Sequence, residues 1–173
     1  TGNITANNAT FGNVVYLNNI LNQGPNGTGN IGNATTVFNT IFAKATSAQY
    51  ADLAEKYVAD AEYAPGVVVS FGGEKEVTKS TADADRAVAG VISTNPSYIM
   101  NGGLEAEHVA VVAFTGRVPT SVTGTVAKGD LMVSNGDGTA RAEADPKAGS
   151  IIGKALENFA GGSGVIEVVI GRF

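Results

Sequence analysis

The sequence lacks cysteine and tryptophan and contains a single histidine, His108. Without cysteine the chain cannot form disulfides, thiolate metal sites or a cysteine nucleophile. One histidine excludes zinc sites built from several histidines and most histidine-based triads within one chain. No apolar run approaches the roughly 18 residues needed to span a bilayer, so we expect no membrane insertion. We predict neither a metal site nor a cofactor.

Charged residues are also scarce, at 16% of the 173 residues compared with about 25% in average globular proteins. Acidic residues outnumber basic ones by 16 to 11, which gives a net charge of −5. A protein that grips phosphate backbones normally has a basic face, so we expect no nucleic-acid partner. Hydrophobic residues make up 43% of the chain, which is enough for the core of one domain with an extended appendage.

The charged residues are unevenly distributed, because all of them lie at Lys44 or later. The preceding segment is rich in Asn and Gly, and its apolar residues form short clusters separated by turn-forming residues. About 40 residues of this kind cannot bury a core alone. We therefore predict that residues 1–45 form an extended, intertwined β-fibre in which copies of the chain bury their apolar residues together. A flexible linker is the alternative.

The absence of charge suits such a fibre, since a charged residue near its axis would face its own copies at short range. A weak internal repeat, relating residues 8–15 to residues 33–42, also favours a fibre of short repeated strands. The residues predicted to pack between chains are Phe11, Val14, Leu17, Ile20, Val37, Phe38, Ile41 and Phe42, together with Leu53 in the following segment.

Residues 46–62 are predicted to form a short helical joint. Its Ala-rich composition and the apolar spacing of Tyr50, Leu53, Ala54 and Tyr57 are typical of a helix. On a helix, Asp52 and Glu55 would share one face, where two carboxylates in a desolvated site can act as acid and base. A solvated helix face is the alternative.

Residues 63–173 are predicted to form an all-β domain, either a small barrel or a sandwich. Short apolar runs alternate with turn signals, of which Asn135–Gly138 is the strongest hairpin signal. Three continuous apolar runs predict strands that are buried on both faces: Val67–Val69, Val109–Phe114 and Val168–Ile170. Strands are expected at Val67–Phe71, Glu76–Thr78, Ala87–Thr94, Val109–Thr115, Thr123–Val126, Asp130–Ser134, Thr139–Ala142, Ser150–Leu156 and Val165–Arg172.

Two other polar groups in this domain suggest chemistry only weakly. His108 follows two glutamates and could act as a base, but a polar residue at a strand entry is the commoner case. Asp83 and Asp85 could share a calcium ion, yet the further oxygen ligands of a calcium loop are missing. We instead expect a solvated loop in which Arg86 pairs with one of the two carboxylates.

Several segments resemble a module of bacteriophage fibre and appendage proteins. They are Asp52–Tyr57, Pro65–Gly73, Arg86–Pro96, Gly116–Val118, Lys128–Leu131 and Ile152–Glu157, and the resemblance covers about residues 48–173. Upstream, residues 31–45 resemble the linker that precedes such modules in tail fibres. The body is also similar to the self-cleaving C-terminal chaperone domain of phage preneck appendages and tailspikes.

This resemblance implies a virion structural protein, namely the distal part of a homotrimeric phage fibre that trimerises, caps the fibre and contacts the host surface. The implied partners are its own copies, other fibre or baseplate proteins and a host surface glycan. It also implies an alternative, a single autoproteolytic cut at Ala51–Asp52 that uses Asp52 and Glu55. Ala51 replaces the family's Ser and Leu53 replaces an aromatic residue, so we expect an uncleaved domain. A glycan-binding tip that uses Tyr98 and Phe159 is a further alternative.

Overall fold

The computed structural model describes residues 10–21, 24–25, 28–33, 35–41 and 50–171. The chain divides into two units, Thr1–Thr46 and Ser47–Phe173, which we call the arm and the head. Throughout the described residues there is no helix long and apolar enough to cross a membrane.

All strands in the described residues belong to the head, and none of these residues is helical. The prediction of an all-β domain with a small barrel is therefore confirmed. The strands are β1 (Asp52–Val58), β2 (Val68–Phe71), β3 (Val77–Lys79), β4 (Val88–Ile92), β5 (Tyr98–Met100), β6 (Val109–Thr123), β7 (Leu131–Ser134), β8 (Ala140–Ala142), β9 (Ile151–Ala155) and β10 (Ser163–Ile170).

The pairing order β6–β10–β9–β7–β8 closes on itself, because β8 pairs with β6 at Val122 and Ala140. This ring is a five-stranded barrel. Its interior is filled by alternate residues of each strand, as the two-residue period of a β-strand requires. Met132 on β7 and Val168 on β10 are fully buried there.

A second ring shares β6 with the barrel. In it, β1, β6, β4, β2 and β3 pair in succession, and a bridge between Ala59 and Val77 returns to the end of β1. Strands of this sheet face two cores, since Val68 packs in the main core and Val69 in a smaller one. Ala113 and Val112 on β6 divide between the cores in the same way.

Two of the three runs predicted to be buried on both faces are therefore confirmed, those at 67–69 and 109–114. The prediction is wrong for Val168–Ile170. Val168 and Ile170 are buried, but Val169 between them is partly exposed, so β10 buries one face only.

The predicted helical joint is also wrong, since Asp52–Val58 is strand β1. Asp52 and Ala54 are buried while Leu53 is 41% exposed, which is the two-residue period of a strand. β1 pairs antiparallel with β6 along its whole length and parallel with β5 on its other side. Helix propensity is a weak preference, and these two ladders override it.

Three strands contain a β-bulge, in which one extra residue has no partner opposite it. Between β1 and β6, the register passes from Leu53↔Thr115 to Ala54↔Ala113. Between β2 and β4, it passes from Val69↔Gly90 to Ser70↔Val88. Between β7 and β9, it passes from Met132↔Gly153 to Val133↔Ile151. The unpaired residues are Phe114 on β6, Ala89 on β4 and Ile152 on β9.

The hairpin predicted at Asn135–Gly138 is confirmed, because it joins the antiparallel pair β7 and β8. Within the turn, the carboxylate of Asp137 accepts hydrogen bonds from the hydroxyl and the backbone N–H of Thr139, at 2.6 and 2.9 Å. These bonds hold the pKa of Asp137 below its usual value. The side chain thus stabilises the turn through the backbone, as is usual for Asp in tight turns.

Candidate functional site

The described part of the arm exposes a series of apolar side chains. Seven of the predicted oligomerisation residues lie in the described part of the arm, whereas Phe42 lies outside the described residues. The exposed fractions of the seven are between 60 and 77%. They are Phe11, Val14, Leu17, Ile20, Val37, Phe38 and Ile41.

Apolar residues of the arm outside the predicted oligomerisation set share this exposure. Tyr16 is 91% exposed, Leu21 82% and Ile31 71%. The described arm residues form no strand within one chain. An extended segment of a single chain has no neighbouring strand to pair with, so its apolar side chains stay exposed.

Local hydrogen bonds set two turns in the arm. The carbonyl of Pro25 accepts bonds from the N–H and hydroxyl of Thr28, at 3.1 and 2.6 Å. The side-chain oxygen of Asn33 accepts bonds from Thr35 and Thr36, and the backbones of Asn33 and Thr36 bond to each other in both directions. The Asn-rich composition thus provides turns that need no charged residue.

Asp52 occupies a buried site at the start of β1. Asp52 is only 5% exposed, and one of its carboxylate oxygens accepts a hydrogen bond of 2.6 Å from the hydroxyl of Ser93. The carbonyl of Asp52 accepts two more, from the N–H and hydroxyl of Ser97, at 2.9 and 2.8 Å. Both serines lie more than 40 positions away, so the sequence contained no local signal for them.

The peptide bond before Asp52 is held by β6. The carbonyl oxygen of Ala51 accepts a hydrogen bond of 3.3 Å from the backbone N–H of Arg117. Gly116 is required beside this contact, because a Cβ atom there would lie 2.1 Å from that same oxygen. A cavity of about 390 Å³ opens over the peptide, and its walls include Ser93, Arg117 and Glu167.

The structure does not bring Glu55 to this site. On a strand, residues 52 and 55 point to opposite faces, and the carboxylate of Glu55 instead accepts a bond of 2.8 Å from the hydroxyl of Tyr57. The prediction that Asp52 and Glu55 share one face is therefore wrong, because it depended on the helix. Asp52 lies with Ser93 and the backbone of Arg117.

The acidic loop at Asp83 and Asp85 is held by residues other than the predicted one. Arg141 forms a two-bond pair with Asp83, at 2.6 and 2.9 Å, and a further bond of 2.9 Å to Glu143. These hydrogen bonds hold the pKa values of Asp83 and Glu143 below their usual values. Asp85 accepts bonds from the hydroxyl of Ser70 and the N–H of Ala87. The predicted partner Arg86 donates to the carbonyl of Ala148 instead.

The two aromatic residues considered for glycan contact differ in setting. Phe159 packs against the main core and is partly buried, which leaves little of its ring for stacking. Tyr98 is 61% exposed on β5, a strand that pairs only with β1. Its registered neighbour on β1 is Leu53, so the two exposed side chains lie side by side. His108, at the entry to β6, accepts a bond from Ala59 N–H with its carbonyl.

No protein-family model and no curated protein matches the chain. Among solved structures, the chain is similar to the head fiber gp8.5 N base of bacteriophage phi29, with 16% sequence identity and a TM-score of 0.42. The alignment covers 68% of this chain and 92% of that one.

Proposed function

We propose that this chain is a structural protein of a phage virion, the distal part of a homotrimeric fibre. The arm is the stalk, in which three chains intertwine, and the head trimerises and caps the fibre end. The observation that carries the proposal is the exposure of the apolar side chains along residues 1–43, which contain no Asp, Glu, Lys or Arg. Ile20 is 77% exposed and Val37 76%.

Burial of these side chains needs other chains, because the arm contains too few residues to form a core. Fully burying one large apolar side chain stabilises by about 1.5–3 kcal/mol, and such residues recur throughout the arm. In a symmetric fibre each residue meets its own copies, so one charged residue would become a cluster of like charges. A charge-free segment avoids this repulsion.

In this proposal the head sets the alignment in which the three arms pair. Three arms could pair with one another in many alignments, since their Asn- and Gly-rich segments repeat. Heads that associate first bring the arms together at high local concentration and at equal chain positions, which favours pairing in register. Leu53 is exposed near the start of the head, only a few residues after the arm ends. We propose that Leu53 continues the contact between chains.

Partners beyond the chain's own copies follow from this role. Fibre or baseplate proteins of the virion would hold the fibre, and its capped end would meet the host surface. The exposed ring of Tyr98 is the aromatic group in the head best placed to stack on a host surface glycan. We propose no membrane insertion and no nucleic-acid partner.

Native mass spectrometry of the full chain tests the trimer. At micromolar concentration the expected mass is that of three intact chains, and a monomer would overturn the proposal. Ile20→Lys is expected to weaken association at least tenfold, because it places three ammonium groups where apolar side chains are buried. Asn18→Lys adds the same charge at a polar position two residues away. An equal loss in both variants would show that charge, and not burial of Ile20, controls assembly.

A second candidate function is a single autoproteolytic cut between Ala51 and Asp52. The Arg117 N–H polarises the carbonyl of this peptide, and the buried carboxylate of the next residue, Asp52, accepts a hydrogen bond from Ser93. Hydrolysis by one water would leave a new carboxyl group on Ala51 and a new amino group on Asp52.

Intact-mass measurements during prolonged incubation test this cut. The second candidate predicts two fragments that meet at Ala51 and Asp52, and their loss in Asp52→Asn. Glu55→Gln is the matched control, because Glu55 bonds to Tyr57 and not to the peptide. An intact chain after several days would eliminate self-cleavage.

A further inference from the structure

All three β-bulges of the head open onto one cavity. Ala89, Phe114 and Ile152 are the unpaired residues of β4, β6 and β9, and each lines the same cavity of about 410 Å³. We propose that this cavity binds a small organic carboxylate with an apolar or flat-ring body. The inference goes beyond the proposed fibre role and does not depend on it, since the cavity lies within one head.

The bulges shape the cavity by redirecting side chains. An extra residue breaks the alternation of a strand, so a side chain can point where the regular ladder would not place it. β4 and β6 approach closely beside two of these bulges, because Gly90 follows Ala89 and a Cβ atom on Gly90 would lie 2.1 Å from the carbonyl oxygen of Ala113. The β4–β6 ladder pairs Val91 with Ala113, so its regular continuation would place Gly90 opposite Phe114 and Ala89 opposite Thr115. Bulges commonly lie next to binding and active sites.

The walls of the cavity are mainly apolar. Phe71 on β2, which is 44% exposed, and Phe114 on β6 contribute rings, and Val88, Ile151 and Ile170 contribute aliphatic side chains. Ligand sites typically combine such walls with a few polar groups that set orientation. Flat rings or apolar chains therefore fit the interior.

Among the described residues that line the cavity, Arg86 is the charged one. Its Nε donates to the carbonyl of Ala148 at 3.0 Å. Across the described residues, both ion pairs of the head involve Arg141, so Arg86 has no carboxylate partner there. Its neighbour Asp85 accepts bonds from Ser70 and Ala87 instead.

An arginine beside apolar walls and without an acidic partner selects an anion. The planar guanidinium matches a carboxylate, which can accept two bonds at once. Two sources share this chemistry, a hydrophobic carboxylic acid and a hexuronic acid residue of a polysaccharide, whose sugar ring can stack on Phe71. The experiment is designed to distinguish them.

Methyl NMR of the full-length chain follows the binding, with Val88 and Ile151 as reporters. The probes are phenylacetate and glucuronate, with benzyl alcohol and glucose as their neutral counterparts. We expect saturable shifts with a Kd of about 1 mM or tighter for at least one carboxylate, and binding at least tenfold weaker for its neutral counterpart. Preference for glucuronate would identify a polysaccharide residue, and preference for phenylacetate a hydrophobic acid.

Variants distinguish binding in the cavity from a general effect of surface charge. Arg86→Gln should weaken carboxylate binding about tenfold or more, because a charge-assisted pair is lost. Lys147→Gln removes the same charge from a nearby exposed position outside the cavity and should leave the affinity unchanged. Ala87→Leu narrows the opening and should weaken binding of either probe. The absence of saturable binding, equal binding of neutral compounds, or equal affinity in Arg86→Gln would each overturn the proposal.

Discussion

The arm and the head use similar apolar residues in opposite ways. In the head, Val68, Val112 and Val168 are buried because paired strands put a second layer over them. In the arm, Val14 and Val37 are exposed, although residues 1–43 contain no charged residue to compete for the surface. Apolar composition therefore does not make a core. What distinguishes the head is strand pairing that closes into two rings.

The hydrogen bonds of the two units also differ, in the sequence separation of the residues that they join. The turns of the arm join residues three positions apart, as between Asn33 and Thr36. Head contacts such as Ser93 to Asp52 and Arg141 to Asp83 join residues 41 and 58 positions apart. Long-range contacts make the folding of the head cooperative. Single substitutions should therefore strongly destabilise the head, whereas substitutions in the arm should have little effect on the stability of a single chain.

The largest expected effect comes from Gly116→Val. A Cβ atom there would lie 2.1 Å from the carbonyl oxygen of Ala51, and the residue has a φ of +105°. We expect a loss of about 4 kcal/mol or more in the free energy of unfolding, measured by urea titration. Gly12→Val is the control in the arm, where nothing lies within 4 Å of the added atom. Equal unfolding midpoints for the two variants would contradict the comparison.

Truncation of a side chain in the main core should reduce the free energy of unfolding nearly as much. Met132→Ala removes a fully buried side chain of the barrel, and such changes destabilise by about 2–5 kcal/mol. Leu17→Ala removes a side chain that is 61% exposed in the arm, so the melting temperature of the head should not change. A lower melting temperature for Leu17→Ala, with no change for Met132→Ala, would mean that the arm and not the barrel controls the stability of the head.

Removal of a buried hydrogen bond should have an intermediate effect. Ser93→Ala deprives the buried carboxylate of Asp52 of its side-chain donor, and an unsatisfied buried group costs about 1–3 kcal/mol. Thr94→Ala changes the exposed neighbouring residue and should have little effect. Chemical denaturation of both variants checks this prediction. A stability in Ser93→Ala equal to that of the parent would mean that Asp52 is already hydrated in its cavity.

The smallest effect is a pH dependence that Arg141 introduces. Its hydrogen bonds lower the pKa values of Asp83 and Glu143 in the folded state. The stabilisation is therefore complete above the ordinary carboxyl pKa values near 4 and is lost as the pH falls through the lowered folded values. Asp83 is 60% exposed, so solvent reduces the effect.

Urea midpoints measured between about pH 2 and pH 6 test this dependence. The stability of the parent chain should fall more steeply with acid than that of Arg141→Gln. Lys128→Gln removes an exposed positive charge elsewhere in the head and should leave the slope unchanged. Parallel curves for Arg141→Gln and the parent would contradict the prediction.

The parts of the fold that depend on local sequence could be predicted. The runs at 67–71 and 131–134 alternate with turn residues, and the turn chemistry of Asn135–Gly138 requires no long-range partner. β1 could not be predicted in this way, because the spacing of Leu53, Ala54 and Tyr57 also fits a helix. Only the pairing with β6, which lies more than 50 positions away, decides between them.

The length of β6 was missed for a related reason. The predicted strand ended at Thr115, just before Gly116 and Pro119, two residue types that usually interrupt strands. Both residues lie within β6, where Gly116 permits the close approach of Ala51 and Pro119 pairs with Glu167 of β10. The three bulges leave no pattern in the sequence, since each depends on the register between two strands.

The candidate site was predicted only in part. Asp52 was identified, but its assigned partner Glu55 depended on the helix. Ser93, which follows β4, and Arg117 on β6 are both distant from Asp52 in sequence. In the arm, the exposed apolar residues follow from composition. Whether other chains cover them stays a prediction, because packing between chains is a property of the assembly.

The shared strand β6 also imposes an order of events in time. The barrel cannot close until β10 is available to pair with β6, and β10 is the last strand of the head. During synthesis the arm leaves the ribosome about 120 residues before β10, which at 5–20 residues per second is roughly 6–24 s earlier. Through that interval the apolar side chains of the arm are exposed before the head is complete. Nascent chains on one polysome would therefore be most vulnerable to misassembly then.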